Sequence, residues 1–282
     1  MTKGHAHYAV SILGVPFHNV SQHEALEWVE TAIASGDSHQ VATANVDFLS
    51  HAQKDPCVKR ILRECSLVLA DGMPIVWASR LMGKPLQQRV TGVDLVPLLA
   101  QASAERGYGI YLLGADAGVM ARAVAELRRQ YPNINLVGCD SPKAASLEEM
   151  DHDGMLRRIE NARPDILLVA FGNPKQERWI YMHRDRLKVP VSIGIGGTLD
   201  LLAGRLRRAP LWMQRSGLEW LYRASQEPLR LFPRYLRNAL TLLRYLPADI
   251  LESRSSKART PGTITINRQS TGVSRKSPLL ED

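Results

Sequence analysis

Short apolar runs alternate with amphipathic stretches from about residue 8 to residue 200 of this 282-residue chain. An apolar run of strand length that is followed by a helical stretch and a further apolar run is typical of parallel strands joined by helical crossovers. The alternation therefore predicts an α/β fold with a doubly wound, mostly parallel sheet. Strands are expected at 8–13, 40–43, 67–70, 109–113, 135–139, 165–171 and 191–195, and helices at 22–34, 93–105, 119–130, 148–162 and 175–187.

The alternation stops after Gly204, and the composition changes twice beyond that point. Pro210, Pro228, Pro233 and Pro247 are expected to divide the next segment into helical pieces, because proline interrupts the hydrogen bonding of a helix. From residue 252 onward Ser, Thr, Arg, Lys and Gly replace large apolar residues, which is typical of a disordered tail. We expect three parts: a Rossmann-like α/β core over 1–204, a helical, arginine-rich C-terminal appendage over 205–251 and a disordered tail over 252–282.

Composition limits the class of protein. The chain is 45% hydrophobic and 23% charged, which is enough apolar material for a folded core. Its three cysteines are widely spaced and form no CxxC motif, so neither a disulfide framework nor a zinc site is indicated, and a reducing cytoplasm fits best. The N-terminal residues lack the apolar region of a signal peptide, and no run approaches the roughly 18 apolar residues of a spanning helix.

The positive charge is concentrated in the appendage. The whole chain carries a formal net charge of +8, and residues 205–245 contain nine arginines, two glutamates and no lysine. Four of these arginines share one face of a helix beside an apolar stripe: Arg230, Arg234, Arg237 and Arg244, with Leu229, Phe232, Leu236, Leu240 and Leu243. Such a segment is typical of a helix that inserts apolar residues among lipid chains and binds phosphates through guanidinium groups.

Three other roles could be assigned to the basic segment. The segment could equally be a helical cap that packs on the core and exposes its basic face to solvent. Binding of nucleic acid is not expected, since no recognised nucleic-acid module is present. An exposed apolar stripe could also pair with a second copy of the chain, so a homo-oligomer remains open.

Polar and glycine residues follow the expected strands, where ligands of doubly wound sheets bind. They are Thr43, Asn45, Asp71, Gly114, residues 173–177, Gly196, Gly197 and Asp200. Asp71 in "VLADGMPIVW" is either a turn residue of an Asp-Gly pair or a general base at the sheet edge. Both interpretations remain open from this stretch alone.

The remaining motifs can likewise be explained either by ligand binding or by a purely structural role. Gly114 begins "GADAGVMARAV", whose backbone N–H groups could hold a phosphate or could simply form a glycine-rich connection. Gly196 and Gly197 permit close backbone approach, and Asp200 either accepts a hydrogen bond from a nucleotide or lies on the surface. In "FGNPKQERW", Glu177 falls in the first turn of the expected helix, where a carboxylate interacts favourably with the helix dipole, whereas Gln176 has less structural reason to be there.

No metal site is predicted. Asp151, His152 and Asp153 imitate a metal-binding DxD pattern, but they fall in or at the start of the expected helix 148–162. Side chains two residues apart on a helix do not face the same ligand, and no other cluster has ligand spacing.

Six motifs in order resemble the WecG/TagA/CpsF glycosyltransferases, glycosyltransferase family 26. They are "TANVDFL", "ADGMPIVW", "RVTGVDL", "GIYLLGA", "FGNPKQERWI" and "GIGGTLDLLAGRLRRAPLWMQRSGLEWLYR", and the likeness runs from about residue 8 to residue 245. The resemblance implies a bacterial, inverting enzyme that needs neither metal nor cofactor. It would move N-acetylmannosamine, its uronic acid or a related hexose from a UDP-sugar to a polyprenyl-diphosphate-linked saccharide, in cell-surface polysaccharide synthesis at the inner face of the cytoplasmic membrane.

The resemblance also implies roles for single residues. Asp71 would be the catalytic base, Thr43 and Asn45 would line the sugar pocket, and Arg89 and Gln176 would lie in the active site, with Arg89 on the diphosphate. Gly196, Gly197 and Asp200 would contact the nucleotide. The appendage would meet the membrane and close the site, so its arginines are expected to face lipid or diphosphate: Arg207, Arg208, Arg215, Arg223, Arg230, Arg234 and Arg237.

Two rival functions remain. A dinucleotide-dependent oxidoreductase on a similar fold would need a G-x-G-x-x-G motif with an acidic residue roughly 20 positions later, and residues 194–197 do not meet this requirement. A non-catalytic scaffold at the membrane surface would use the amphipathic segment alone.

Overall fold

The computed structural model describes residues 9–143 and 146–255. It contains a six-stranded parallel sheet and a separate two-stranded hairpin. The strands are β1 (Ala9–Ile12), β2 (Val15–His18), β3 (His39–Ala44), β4 (Leu67–Ala70), β5 (Ile110–Gly114), β6 (Leu136–Asp140), β7 (Ile166–Ala170) and β8 (Val191–Gly194). The parallel sheet has the order β4-β3-β8-β7-β5-β6, which confirms the predicted α/β class.

Helices cover both faces of this sheet. In chain order they are α1 (Gln22–Ser35), α2 (Val46–Lys54), α3 (Pro56–Glu64), α4 (Met73–Leu81), α5 (Gly92–Arg106), α6 (Ala117–Gln130), α7 (His152–Ala162), α8 (Lys175–His183), α9 (Thr198–Leu202), α10 (Leu211–Arg215), α11 (Glu219–Gln226) and α12 (Pro228–Ser255). Successive strand residues enter opposite cores, as Leu168 packs with α1, α5 and α6 while Leu167 and Val169 pack with α7 and α8. Such two-sided burial explains why the strands read as continuous apolar runs.

The first expected strand is not part of the parallel sheet. β1 pairs antiparallel with β2, with Val10 opposite Phe17. Leu13 and Gly14 both have positive φ angles, 51° and 77°, so the chain reverses within two residues and β1 meets β2 rather than a distant strand. The prediction for 8–13 was therefore wrong in its pairing, and its first residue, Tyr8, lies outside the described residues.

The appendage ends in one long helix rather than in pieces. α12 runs through Pro233 and Pro247, although an interior proline costs a helix about 3 kcal/mol. Packing against the core offsets this cost, since Leu246 is buried in the core and Thr241 Oγ1 donates to Ser50 Oγ of α2 at 3.1 Å. The predicted division at these two prolines was wrong.

The helix also enters the predicted tail. Residues 252–255 belong to α12, and Ser253 Oγ donates to the Met82 carbonyl at 3.2 Å, so the tail does not begin at residue 252. Its remainder, 256–282, lies outside the described residues. Within the part of the chain that the structure describes, no helix has both the length and the apolar character needed to cross a bilayer.

Gly114 fills a position that tolerates no side chain. Its φ is 116°, and a Cβ atom there would lie 2.7 Å from the backbone carbon and oxygen of Ala170. The end of β5 thus contacts the end of β7 through bare backbone.

We expect Gly114→Ala to destabilise the chain more than Gly107→Ala. Gly107 has a similar left-handed φ of 82° but open space where a Cβ would stand, so it carries the conformational strain without the clash. The difference in free energy of unfolding should be on the order of 1–3 kcal/mol, the usual cost of overpacking. Urea denaturation measures it, and equal losses in the two variants would show that the predicted contact with Ala170 is not limiting.

Candidate functional site

A cavity of about 390 Å³ lies between the carboxyl ends of the strands and the appendage. One wall comes from the core, with Asn45, Asp71, Trp77 and Arg89. The facing wall comes from α11 and α12 and includes Glu219, Trp220, Arg223, Arg234, Tyr235 and Asn238. The cavity therefore exists only because the appendage packs on the core.

A glycine lets the appendage approach this closely. Gly217, in the turn between α10 and α11, has a φ of 77°. A Cβ there would lie 2.7 Å from the Trp77 ring and 3.0 Å from Met73 Cγ, both on α4. Only glycine fits between α4 and this turn without displacing one of them.

Asp71 stands at the first residue after β4 and lines the cavity. Its N–H donates to the Ala44 carbonyl at 2.9 Å, so the sheet ladder continues one residue beyond the strand. Asn45 holds its side chain, because Asn45 Nδ2 donates to Asp71 Oδ2 at 3.4 Å. The same Asn45 caps α2 through Oδ1, which accepts from the N–H of Asp47 at 3.0 Å.

Burial raises the pKa of Asp71 from its ordinary value to about 6. Positive charge on Arg223, the hydrogen bond from Asn45 and positive charge on Arg89 oppose this shift, and the nearby Glu219 carboxylate adds to it. A carboxylate with this pKa is largely ionised at neutral pH and is a stronger base than an ordinary aspartate. These are the properties of a general base.

Arg89 lies in the cavity wall but is not a free cation. The N–H of Val90 donates to the Ala70 carbonyl at 2.9 Å, which places the loop before α5 beside the end of β4. The Arg89 guanidinium then forms an ion pair with Glu219 at the start of α11. Arg208 extends this cluster of charges, since it forms an ion pair with Asp94 and its Nε lies 3.4 Å from Glu219 Oε1.

Thr43 and Gln176 are buried beneath the strand ends and do not line the cavity. Thr43 Oγ1 donates to the Gly194 carbonyl at 2.9 Å. Gln176 Oε1 accepts from the N–H groups of Gly172 and Gly196, at 3.2 and 3.1 Å. Both side chains therefore tie strand-end loops together, and the structure assigns them a supporting position.

Glu177 lies under the same loops. Gln176 Nε2 donates to Glu177 Oε1 at 2.8 Å, and burial raises the pKa of Glu177 to about 8. The carboxyl group is therefore protonated at neutral pH, which avoids a buried charge. The sequence suggested only a helix-dipole role for this residue.

The other residues expected at the nucleotide are spread along the strand ends. Gly114 serves the contact of β5 with β7 and does not line the cavity. Asp116 caps the α6 N-terminus by accepting from the Val119 N–H at 2.9 Å, which occupies the helix start that a phosphate would use. Asp200 lies 3.4 Å from Arg205. Gly197 lies nearer the cavity, since a Cβ there would be 3.5 Å from Arg223 Nη2.

The appendage arginines divide into groups with different surroundings. Arg208, Arg223, Arg234 and Arg237 face the core or the cavity. Arg215 is exposed, Arg230 pairs with Glu227 on the surface, and the Arg207 backbone exchanges hydrogen bonds with the Gln226 side chain. The predicted common face of α12 is thus shared between solvent and core.

The apolar stripe on α12 is exposed. Leu229 is 93% exposed, Leu243 73% and Phe232 68%, and Leu236 and Leu240 are also exposed. α12 therefore packs on α2 along one side and presents a row of large apolar residues on another.

The acidic triplet does not form a metal site. Asp151 caps α7 by accepting from the Gly154 N–H at 2.9 Å, and His152 and Asp153 begin the helix. Among the described residues, no group of three His, Cys, Asp or Glu side chains is arranged to hold a metal ion.

A larger cavity, of about 750 Å³, lies at the opposite ends of the strands. Arg163, Asp165, Lys188 and Pro190 line it, and none of the predicted site residues does. Because parallel sheets bind ligands at the carboxyl ends of their strands, the smaller cavity beside Asp71 is the better candidate site.

The raised pKa of Asp71 makes stability depend on pH. The folded state holds the Asp71 proton more tightly than the unfolded state does, so this contribution is complete below the ordinary pKa of 3.8 and is lost as pH rises through about 6. We expect Asp71→Asn to gain stability relative to wild type between about pH 4 and about pH 7, by up to about 3 kcal/mol.

Urea denaturation of both chains at each pH measures this difference, and titration of other groups, such as Glu177, cancels in it. A difference between the two chains that stays constant over this range would contradict the desolvation that raises the pKa of Asp71.

The chain is similar to known proteins over most of its length. The family model described as the glycosyl transferase WecG/TagA/CpsF family matches residues 10–256. A protein of Staphylococcus aureus strain MW2, named N-acetylglucosaminyldiphosphoundecaprenol N-acetyl-beta-D-mannosaminyltransferase, is 30% identical over 220 residues, which are 77% of this chain and 85% of that protein. The protein of the same name from strain NCTC 8325 / PS 47 is 30% identical over 217 residues, 76% of this chain and 84% of its own length.

The family match covers the sheet, the strand-end loops that surround Asp71 and the whole of α10 to α12. The chain therefore belongs to the WecG/TagA/CpsF family of glycosyltransferases.

Proposed function

We propose that this glycosyltransferase moves N-acetylmannosamine, or a closely related hexose or uronic acid, from a UDP-sugar to a saccharide linked to polyprenyl diphosphate. The observation that carries the proposal is the position of Asp71, a basic carboxylate in a cavity that also contains Arg89, Arg223 and Arg234. The names of the Staphylococcus aureus relatives supply the sugar and the lipid-linked acceptor.

In the proposed reaction Asp71 accepts the proton of the acceptor hydroxyl. The hydroxyl oxygen forms a bond to the anomeric carbon of the donor sugar as the bond from that carbon to the diphosphate oxygen breaks. UDP leaves with the bonding electrons on the opposite face, so the configuration inverts in one displacement. Asn45 holds the base through its hydrogen bond to Oδ2, which keeps the proton acceptor in one place during transfer.

Negative charge grows on the departing diphosphate and requires positive groups that are already in position. Arg223 makes the strongest favourable charge interaction with Asp71 and lies beside Gly197, and Arg89 is a second guanidinium in the opposite wall. We propose that these two groups meet the diphosphate and that no metal ion is required. Arg89 must then exchange its ion pair with Glu219 for the substrate.

The exposed stripe of α12 supports association with the inner face of the cytoplasmic membrane. Its leucines and Phe232 lie on a helix that also carries Arg230 and Arg244, so apolar and phosphate-binding groups share one surface. A polyprenyl acceptor resides in the bilayer. Because α12 forms part of the cavity wall, the cavity would lie close to the acceptor when this helix rests on the membrane. Polysaccharide assembly at the cell surface is the process this chemistry serves.

The substrates are tested with a panel of UDP-sugars and a lipid-diphosphate-N-acetylglucosamine acceptor. Transfer of labelled N-acetylmannosamine supports the proposal in full, and transfer of another hexose corrects the donor. Absence of transfer from every UDP-sugar in the panel would contradict it.

Asp71→Asn should reduce transfer to near background and leave UDP binding unchanged. The amide keeps the shape of the carboxylate but accepts no proton, and general base catalysis typically contributes about 100- to 10,000-fold. Product formation and calorimetric binding of UDP measure the two effects. Asp153→Asn, an exposed aspartate paired with Arg186, is the control and should transfer normally. Turnover of the Asp71 variant within a few-fold of wild type would remove Asp71 from the mechanism.

Replacing Leu236 and Leu240 by Ser should weaken binding to vesicles of anionic phospholipid. Each exposed leucine that enters the bilayer contributes roughly 1.5–3 kcal/mol, so the pair should lower the partition coefficient by about 100-fold or more. Flotation measures binding, and Met182→Ser, at an exposed apolar residue of α8, is the control. Unchanged flotation, or dissociation of a dimer as the only effect, would contradict the membrane role of the stripe.

A further inference from the structure

Asp47 is a buried carboxylate that the reaction does not use. It lies in the first turn of α2, its side chain is 5% exposed, and it is outside the wall of the cavity. Arg237 Nη2 contacts Oδ1 at 2.8 Å and Asn173 Nδ2 donates to Oδ2 at 3.1 Å. Arg234 Nη1 and His51 Nε2 lie 4.0 and 3.9 Å from Oδ2.

Most of the groups around this carboxylate come from the appendage. Arg234 and Arg237 are 187 and 190 residues from Asp47 in the chain and reach it from successive turns of α12. Asn238 adds a third contact, because its amide, with the nitrogen toward Asp47, donates to Oδ1 at 3.2 Å. A charge that is this deeply buried requires such partners, so folding of α2 and docking of α12 depend on each other here.

Asn45 links this contact to the proposed base. Asn45 and Asp47 share the start of α2, where Asn45 Oδ1 accepts from the Asp47 N–H while Asn45 Nδ2 donates to Asp71. On the other side of the contact, Arg234 and Asn238 also line the cavity. Asp47 therefore stands at the joint between the two walls.

We propose that Asp47 is a positioning residue, which latches α12 to the core through Arg237 and thereby sets the distance between the appendage wall and Asp71. The latch rests on the proposed function only for its kinetic consequence. It assigns Arg237 and Arg234 to the core carboxylate, whereas a purely lipid-binding role would need neither Asp47 nor its charge.

The rest of α12 would keep its place without this latch. Leu246 is buried in the core, Thr241 Oγ1 donates to Ser50, and the Asp249 carboxylate accepts from the Leu13 N–H. Loss of Asp47 is therefore expected to free the first half of α12, which carries the cavity-lining residues, while the second half stays docked. Displacement of a positioned wall by about 1 Å can cost on the order of 100-fold in rate.

The experiment compares the full-length chain as wild type, Asp47→Ala, Asp47→Asn, Arg237→Ala and the double Ala variant. Hydrogen exchange of the α12 amides reports docking without any need for activity, and kcat/KM for sugar transfer reports its consequence. Asp153→Ala is the matched control, because it removes one aspartate from an exposed pair with Arg186. Asp47→Asn keeps the shape of the side chain, and it decides the question if the alanine variant does not fold.

In both Asp47 variants and in Arg237→Ala we expect amides of residues 231–238 to exchange about tenfold faster or more, while those of β5 and β7 keep the wild-type rate. We expect kcat/KM to fall by about 100-fold in Asp47→Ala, and the double variant to lose no more than either single variant, since both remove the same contact.

Wild-type exchange in α12 of Asp47→Asn would overturn the latch, and so would additive losses for Asp47 and Arg237. If the wild-type chain transfers no sugar at all, the proposed function fails, while the exchange rates still decide whether Asp47 holds α12.

Discussion

The site depends on one constraint, which is the burial of the Asp71 carboxylate between the end of β4 and an appendage that belongs to the last quarter of the chain. Burial raises the pKa of Asp71 to about 6, and the guanidinium groups of Arg223 and Arg89 keep it from rising further. A carboxylate in water would be a weak base, and a carboxylate buried without cations would remain protonated. The appendage supplies both part of the burial and part of the positive charge, so the basicity of Asp71 depends on the docking of the appendage.

Ion pairs between the core and the appendage hold the appendage in its docked position. Arg89 meets Glu219, Arg208 meets Asp94, and Asp47 meets Arg237, each pair joining the core to the appendage. Partly buried pairs of this kind contribute little net stability but are costly to break, so they specify how two pieces dock. Gly217 then allows the turn before α11 to rest directly on Trp77. The cavity is the space left between these contacts.

Much of this arrangement could be predicted from residues near each other in the chain. The alternation of apolar runs predicts the sheet, and the rule that ligands bind at strand ends selects Asn45 and Asp71. Pairings across the chain could not be predicted, because Arg89 and Glu219 are 130 residues apart and no local pattern connects them. For the same reason Arg234 and Arg237 were expected to face lipid or diphosphate, and their contacts with Asp47 on one side of α12 were not expected. Thr43 and Gln176 were expected in the site and lie beneath it. Membership of a glycosyltransferase family removes the oxidoreductase and the non-catalytic scaffold as alternatives.

The pH dependence of kcat/KM for sugar transfer is the most direct test of Asp71 as the catalytic base, because it reports the protonation of the base in the free enzyme. We expect kcat/KM to rise with pH, with an apparent pKa of about 6, and to level off above it. The small residual rate of Asp71→Asn should lack this rise. A wild-type profile that is flat from about pH 5 to about pH 8, or a rise that persists in the Asp71 variant, would contradict it.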